Sequence, residues 1–241
     1  MTDILLRNIK DVYRKIAHAA MRVGREPVDV NLVAVTKNHG PEMLQNAVDR
    51  GLRVFGENRV QEARSKILDF KAHNSLPLEV GGYSGVRWHL LGNLQKNKVK
   101  TAVELFDVIQ SVDSIELAEE INKQAEKAGK QLDVLVQIKL SDEESKHGVS
   151  RENYTKLLEE IKHMGNLNLI GLMTIPPYFY DAEKSRPYFR ELRNIKERLE
   201  ENGFQLPELS IGMSNDFEIA IEEGATMVRI GTAIFGERIQ E

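Results

Sequence analysis

Short β-branched runs alternate with longer amphipathic stretches along the whole chain. The apolar runs predict strands over Asn31–Thr36, Arg53–Phe55, Arg87–Leu91, Phe106–Gln110, Asp133–Lys139, Leu167–Met173, Glu208–Ile211 and Met227–Ile230. Between them apolar residues recur at helical spacing. That spacing predicts helices over Pro41–Arg50, Arg59–Ala72, Ser114–Ala128, Arg151–His163, Asp181–Glu201 and Asp216–Glu223. Strands separated by helices need crossover connections, which implies a parallel sheet. Eight such units in 241 residues suit an α/β chain folded as one (β/α)8 TIM barrel of roughly 250 residues. A doubly wound open sheet is the alternative, but the turn after the first strand, VAVTKNHG, lacks its glycine signature.

Residues 3–23 place Leu5, Leu6, Ile9, Val12, Tyr13, Ile16 and Ala20 at helical spacing, with charged groups between. This reads as a packing helix that caps one end of the barrel, not as a leader: a secretory segment would be an unbroken apolar run. Asp3 and Asp11 argue against a transit peptide. No apolar stretch approaches the roughly 20 residues of a membrane span. A single domain over residues 1–241 is therefore expected. Two stretches are irregular, His73–Gly85 before the third strand and Leu140–Ser150 after the fifth. The second is charged, lies on the side where barrels carry their binding loops, and is expected to be mobile around Ser145, Lys146 and His147.

Charge and cysteine content narrow the function. The net charge is −4 and no basic run suggests a nucleic-acid arm. The chain has no cysteine, which excludes disulfides, thiolate metal sites and a cysteine nucleophile, and suits a reducing cytoplasm.

In a parallel barrel the chemistry sits at the C-terminal strand ends. There the chain places Lys37 after the first strand, Glu57 and Asn58 after the second, and His89 within the third. The seventh strand runs into Gly212-Met213-Ser214-Asn215-Asp216 and the eighth into Gly231-Thr232-Ala233. Barrels often bind phosphate with these last two loops. Capping residue types leave N–H groups pointing outward, Gly231 permits close approach, and Thr232 adds a hydroxyl. Two ordinary capped turns would look the same. A lysine ending a strand is commonly solvated; the sharper reading of Lys37 is a nucleophilic amine in the barrel mouth. An aldehyde cofactor with a phosphate handle needs both an amine and an anion cup.

VAVTK, FGENRVQE, WHLLGNLQKNK, SKHGV, GLMTI, SIGMSNDFEIAI and VRIGTAIFGER follow one another in that order. In them the chain resembles the pyridoxal phosphate (PLP) homeostasis protein family and, more distantly, the N-terminal barrel domain of alanine racemases. The resemblance covers essentially the whole chain. It implies pyridoxal 5′-phosphate as cofactor, held as a Schiff base on Lys37. It also implies phosphate among Ser214, Gly231 and Thr232, with Arg229 facing the pyridine nitrogen. Asn58 is then placed near the ring oxygen, with His89 and Met213 around the cofactor. The turn after Lys37, NHGPE, departs from the family's usual residues.

Two functions compete. One is a non-catalytic PLP carrier in vitamin B6 homeostasis, serving apo PLP-dependent enzymes, cytoplasmic and monomeric. The other is a PLP-dependent amino-acid racemase, which needs a proton donor on each face of the substrate. Racemases of this kind carry a second, all-β domain and take a tyrosine from a partner chain. The sequence ends soon after Ile230, and among its six tyrosines Tyr178 and Tyr180 lie nearest the mouth, as loop packing first. A phosphosugar enzyme would need several strand-end carboxylates, and Glu57 is the one clear case. The carrier is expected, with no catalytic residue and no metal ligand assigned.

Overall fold

The structure, a computed structural model, describes residues 3–73, 85–143 and 146–236. Eight parallel strands close into one barrel in chain order. They are β1 (Asn31–Val35), β2 (Val54–Glu57), β3 (Arg87–Leu90), β4 (Val108–Val112), β5 (Leu132–Gln137), β6 (Leu167–Met173), β7 (Glu208–Met213) and β8 (Met227–Ile230). Closure is made by β1 on β8, with Val33 beside Arg229 and Ala34 beside Ile230. The open-sheet alternative is thereby excluded.

Helices α1 (Ile4–Arg22), α2 (Pro41–Asp49), α3 (Val60–His73), α4 (Val99–Leu105), α5 (Ile115–Lys127), α6 (Tyr154–Lys162), α7 (Arg186–Glu201), α8 (Phe217–Glu222) and α9 (Thr232–Phe235) surround it. Their apolar stripes and the outward strand residues share one core that includes Phe55, Trp88, Phe106 and Phe189. The helix α1 begins at Asp3, whose carboxylate accepts the Leu6 N–H at 3.1 Å. It buries Ile9, Val12, Ile16, Ala19 and Ala20 and packs against α8 and α9. Asp3 pairs with Arg50 at the end of α2, and Arg22 pairs with Glu222 of α8 at 2.8 Å. The helix expected over a barrel end thus stretches between α2 and α8 in the outer ring, beside the four-residue α9.

Several boundaries differ from the sequence reading, each for a local reason. The fourth strand lies two residues later than expected, because α4 runs to Leu105 and Phe106 caps it through the Ala102 carbonyl. The seventh continues to Met213 through Gly212, whose φ of 88° is left-handed. A Cβ at Gly212 would come within 2.5 Å of the Ala220 Cβ, so α8 can pack there only on a glycine. The helix expected from Asp181 starts at Arg186, after a 3-10 turn over Ala182–Ser185. Pro187 has no N–H to give to a preceding turn and fits only near a helix start. Of the irregular stretch His73–Gly85, residues 74–84, with Tyr83, lie outside the described residues.

Candidate functional site

The strand ends enclose a cavity of about 840 Å³ at the C-terminal mouth of the barrel. Lys37, Asn58, Met213, Ser214, Arg229, Gly231 and Thr232 all line it. Residues far apart in the chain meet there because the closed sheet aims every strand end at the same opening. Val35, Leu91 and Ile175 give it apolar wall. Asn58 reaches it through a tight contact between loops: a Cβ at Gly92 would stand 2.1 Å from the Asn58 carbonyl oxygen. Only glycine lets these two backbones approach.

The loops after β7 and β8 are joined through Ser214. Its hydroxyl oxygen accepts the N–H groups of Gly231 at 3.2 Å and Ala233 at 3.3 Å. Asp216 is turned to its own loop, accepting the Met213 N–H at 2.7 Å. Backbone donors and a hydroxyl therefore converge on one corner of the cavity.

Arg229 is buried, and burial lowers its pKa to about 10 against the raising field of Asp216. It remains a cation at neutral pH. Its Nη1 donates to the Ser210 carbonyl at 2.6 Å and to Ser210 Oγ at 2.7 Å. Its Nη2 donates to the Thr174 carbonyl at 2.9 Å. The Ser210 hydroxyl, accepting from Arg229, donates to Gln110 Oε1 at 2.6 Å. The Gln110 amide nitrogen is then the donor to His89 Nδ1 at 2.8 Å. The chain of donors runs one way, from Arg229 to His89, and leaves the His89 proton on Nε2, which has no hydrogen-bond partner among the described residues.

His89 does not reach the cavity wall. It stands inside the barrel among Gln110 and its neighbours, and touches the site only through Gln110, Ser210 and Arg229. Burial, with the Arg87 charge, lowers its pKa to about 3.

Glu57 is also displaced from its expected place at the mouth. It is wholly buried in β2 and accepts Thr36 Oγ1 at 2.6 Å and Lys66 Nζ at 2.5 Å. Burial raises its pKa, and the Lys66 charge opposes the shift.

Several lining residues, Gln137 and Phe179 among them, were not assigned as site residues from the sequence. Asn93, Lys146 and His147 face the cavity from the loops after β3 and β5. Asn93 Nδ2 lies 3.2 Å from His147 Nδ1, and burial raises the pKa of nearby Asp113, with His147 opposing the shift. The loop after β5 returns to its own strand, where Val149 N–H donates to Gln137 at 2.8 Å and Lys139 N–H to Val149 at 2.9 Å. Its position after a strand was the available signal. Ser145 lies outside the described residues. Tyr178 lines the cavity while 74% exposed, and Tyr180 is 96% exposed. No cluster of metal-binding side chains occurs among the described residues, and no described helix is long and apolar enough to cross a membrane.

The barrel has relatives among known proteins. The family model for the alanine racemase N-terminal domain matches residues 5–239. A pyridoxal phosphate homeostasis protein of Aquifex aeolicus is 44% identical over 228 residues, covering 94% of this chain and 95% of that one. Its namesake in Escherichia coli K12 is 38% identical over 242 residues, covering 99% and 98%. The solved structure of PipY from Synechococcus elongatus PCC7942, with PLP bound, superposes with a TM-score of 0.78 at 36% identity, covering 92% of this chain and all of that one.

The buried histidine makes a prediction about acid stability. His89 has a folded pKa of about 3 against an ordinary 6.5. Between those values the unfolded chain binds a proton that the folded chain refuses, so stability falls as pH drops below about 6.5. The slope approaches about 1.4 kcal/mol per pH unit. Urea denaturation at pH 7, 6 and 5 is expected to show this loss, and His89→Gln to flatten it above the range where carboxylates titrate. Identical pH slopes in both proteins would refute the assignment.

Proposed function

We propose, because this chain belongs to the pyridoxal phosphate homeostasis protein family, that it takes PLP into the barrel mouth and holds it as a Schiff base on Lys37 without turnover. The observation that carries the reading is that Lys37 shares one cavity with Arg229 and with the Ser214–Gly231–Thr232 corner. An amine, a fixed cation, a cluster of N–H and hydroxyl donors and an apolar wall are the groups an aromatic aldehyde phosphate requires, and the volume suits a ligand of that size.

When bound, PLP supplies an aldehyde and an electron-withdrawing ring. The Ser214 and Thr232 hydroxyls and the Thr232 N–H would hold the phosphate, with Gly231 allowing its close approach. Asn58 would hold the phenolic oxygen of the ring, and Met213 would pack against the ring. Arg229 has donors and no acceptor, so it can hydrogen-bond only an unprotonated ring nitrogen. That arrangement leaves the ring a weak electron sink, which favours holding over turnover. His89 orients Arg229 from a distance through Gln110 and Ser210. The carrier would work as a monomer in the cytoplasm and exchange PLP with apo enzymes that use it.

One observation favours the racemase alternative. β5 stands across the closed barrel from β1, and His147 enters the cavity from the β5 side. A racemase needs proton donors on both faces of its substrate, and Lys37 with His147 is the pair this wall offers.

Three outcomes test the reading. Borohydride reduction of the PLP-loaded protein followed by peptide mapping is expected to find the pyridoxyl group on Lys37. Recovery on Lys98 or Lys146 instead would overturn the assignment, and Lys37→Ala is expected to lose the Schiff-base absorbance while retaining weaker binding.

Removing the Ser214 hydroxyl is expected to cost about 1.5–3 kcal/mol of PLP binding, the range for hydrogen bonds to charged groups, and removing that of exposed Thr232 less. Equilibrium dialysis of Ser214→Ala with Thr232→Val reads the sum. Unchanged affinity means that the phosphate lies elsewhere.

Free amino acids in heavy water are expected to exchange their α-proton no faster with the loaded protein than with PLP alone. Enzyme-like exchange that requires both Lys37 and His147 would make the racemase the better reading.

A further inference from the structure

Lys37 is flanked by two residues whose backbones are tied down by charged side chains from β2 and α3. Before it, Thr36 is fully buried. Its carbonyl accepts Lys66 Nζ at 2.6 Å and its hydroxyl donates to Glu57 at 2.6 Å. After it, the Asn38 N–H donates to Glu62 Oε1 at 2.5 Å, the same oxygen that Lys66 reaches at 3.3 Å. Asn38 takes the left-handed φ of 64°. Lys66 and Glu57 form an ion pair in which the side chains are 4% and 0% exposed, and Glu57 Oε2 has no hydrogen-bond partner among the described residues.

Burying such a pair is poor economy if stability is the only return, because desolvation offsets most of the attraction and apolar side chains of similar size would pack as well. What apolar residues cannot supply is direction. Lys66 and Glu62 fix a carbonyl on one side of Lys37 and an amide on the other.

We propose that Glu57, Lys66 and Glu62 are positioning residues for Lys37. They lock the backbone from Thr36 to Asn38 so that the ε-amine meets a bound aldehyde in a reacting orientation. The step served is condensation of amine and aldehyde to an imine with loss of one water and no change of oxidation state. The inference rests on the reading of Lys37 as the Schiff-base lysine.

The test compares the wild-type chain with Glu62→Ala, Glu62→Gln and the double variant Glu57→Gln/Lys66→Met. The double change removes both buried charges together, whereas Lys66→Met alone would strand Glu57. In the PLP-free proteins, hydrogen exchange at the Asn38 amide is expected to quicken about tenfold in Glu62→Ala with an unaltered melting temperature. Glu62→Gln, which keeps an acceptor oxygen, restores part of the protection. With PLP added, the rate of Schiff-base absorbance rise, divided by total PLP bound, is expected to fall about tenfold in Glu62→Ala and in the double variant. A wild-type chain that traps no pyridoxyl group on Lys37 overturns the underlying reading and this one with it. A wild-type chain that traps it, beside variants that form it at the same rate, overturns the clamp alone.

Discussion

Everything at the mouth depends on the hydrogen bonds that join β1 to β8. They set Asn31 beside Met227 and Ala34 beside Ile230. Lys37 follows one of these strands, and Arg229, Gly231 and Thr232 belong to or follow the other. In an open sheet of the same strand order they would stand at opposite edges, many strand spacings apart at roughly 4.8 Å each. Closure makes them neighbours. α1 buries Ile9, Val12 and Ile16 and is tied to Arg50 after α2 and to Glu222 of α8.

The seam also explains why the barrel interior is polar where it is. Arg229 lies in β8 beside Val33, points inward, and is buried. A buried cation must be given acceptors, and the Ser210 carbonyl of β7 and the Thr174 carbonyl just after β6 supply them. The Ser210 hydroxyl then passes the constraint to Gln110 and on to His89. Each member is committed by the one before it. The neutral state of His89 and the orientation of Arg229 are therefore parts of one arrangement, and acid that unfolds the protein through His89 would release the cation as well.

Hydrophobic patterning made the barrel legible, because period and length report directly on strands and helices. β6 and β8, bounded by strong turn residues, coincide with their expected limits. Boundaries shifted where a specific local contact sets them, as the Ala102 carbonyl does at Phe106 and the Ala220 side chain does at Gly212. The cavity residues on β1, β7 and β8 were legible because strand ends in a parallel barrel converge whatever the details. Pairings were not. Nothing local distinguishes Lys66 from Lys71, the other lysine of α3, and its burial follows only from the approach of that helix to Glu57. His89 looked like a site residue because strand position alone does not say which inward side chains stop short of the cavity. The loop bearing His147 was legible as a binding-side loop, but its return to Gln137 and Lys139 is a tertiary fact.

Arg229 carries more donors than its protein partners use. A guanidinium carries five N–H donors, and three of its bonds here go to Ser210 and Thr174. Those bonds fix the plane of the group. The remaining donors are available to a ligand acceptor in the cavity, and only to an acceptor. A ring nitrogen placed there keeps its lone pair engaged and unprotonated, since a cation with a pKa near 10 surrenders no proton to a weaker base at neutral pH. A carboxylate in the same place would draw a proton onto the ring and strengthen it as an electron sink. Three bonds to Ser210 and Thr174 thus fix the orientation of a buried cation at the cavity wall.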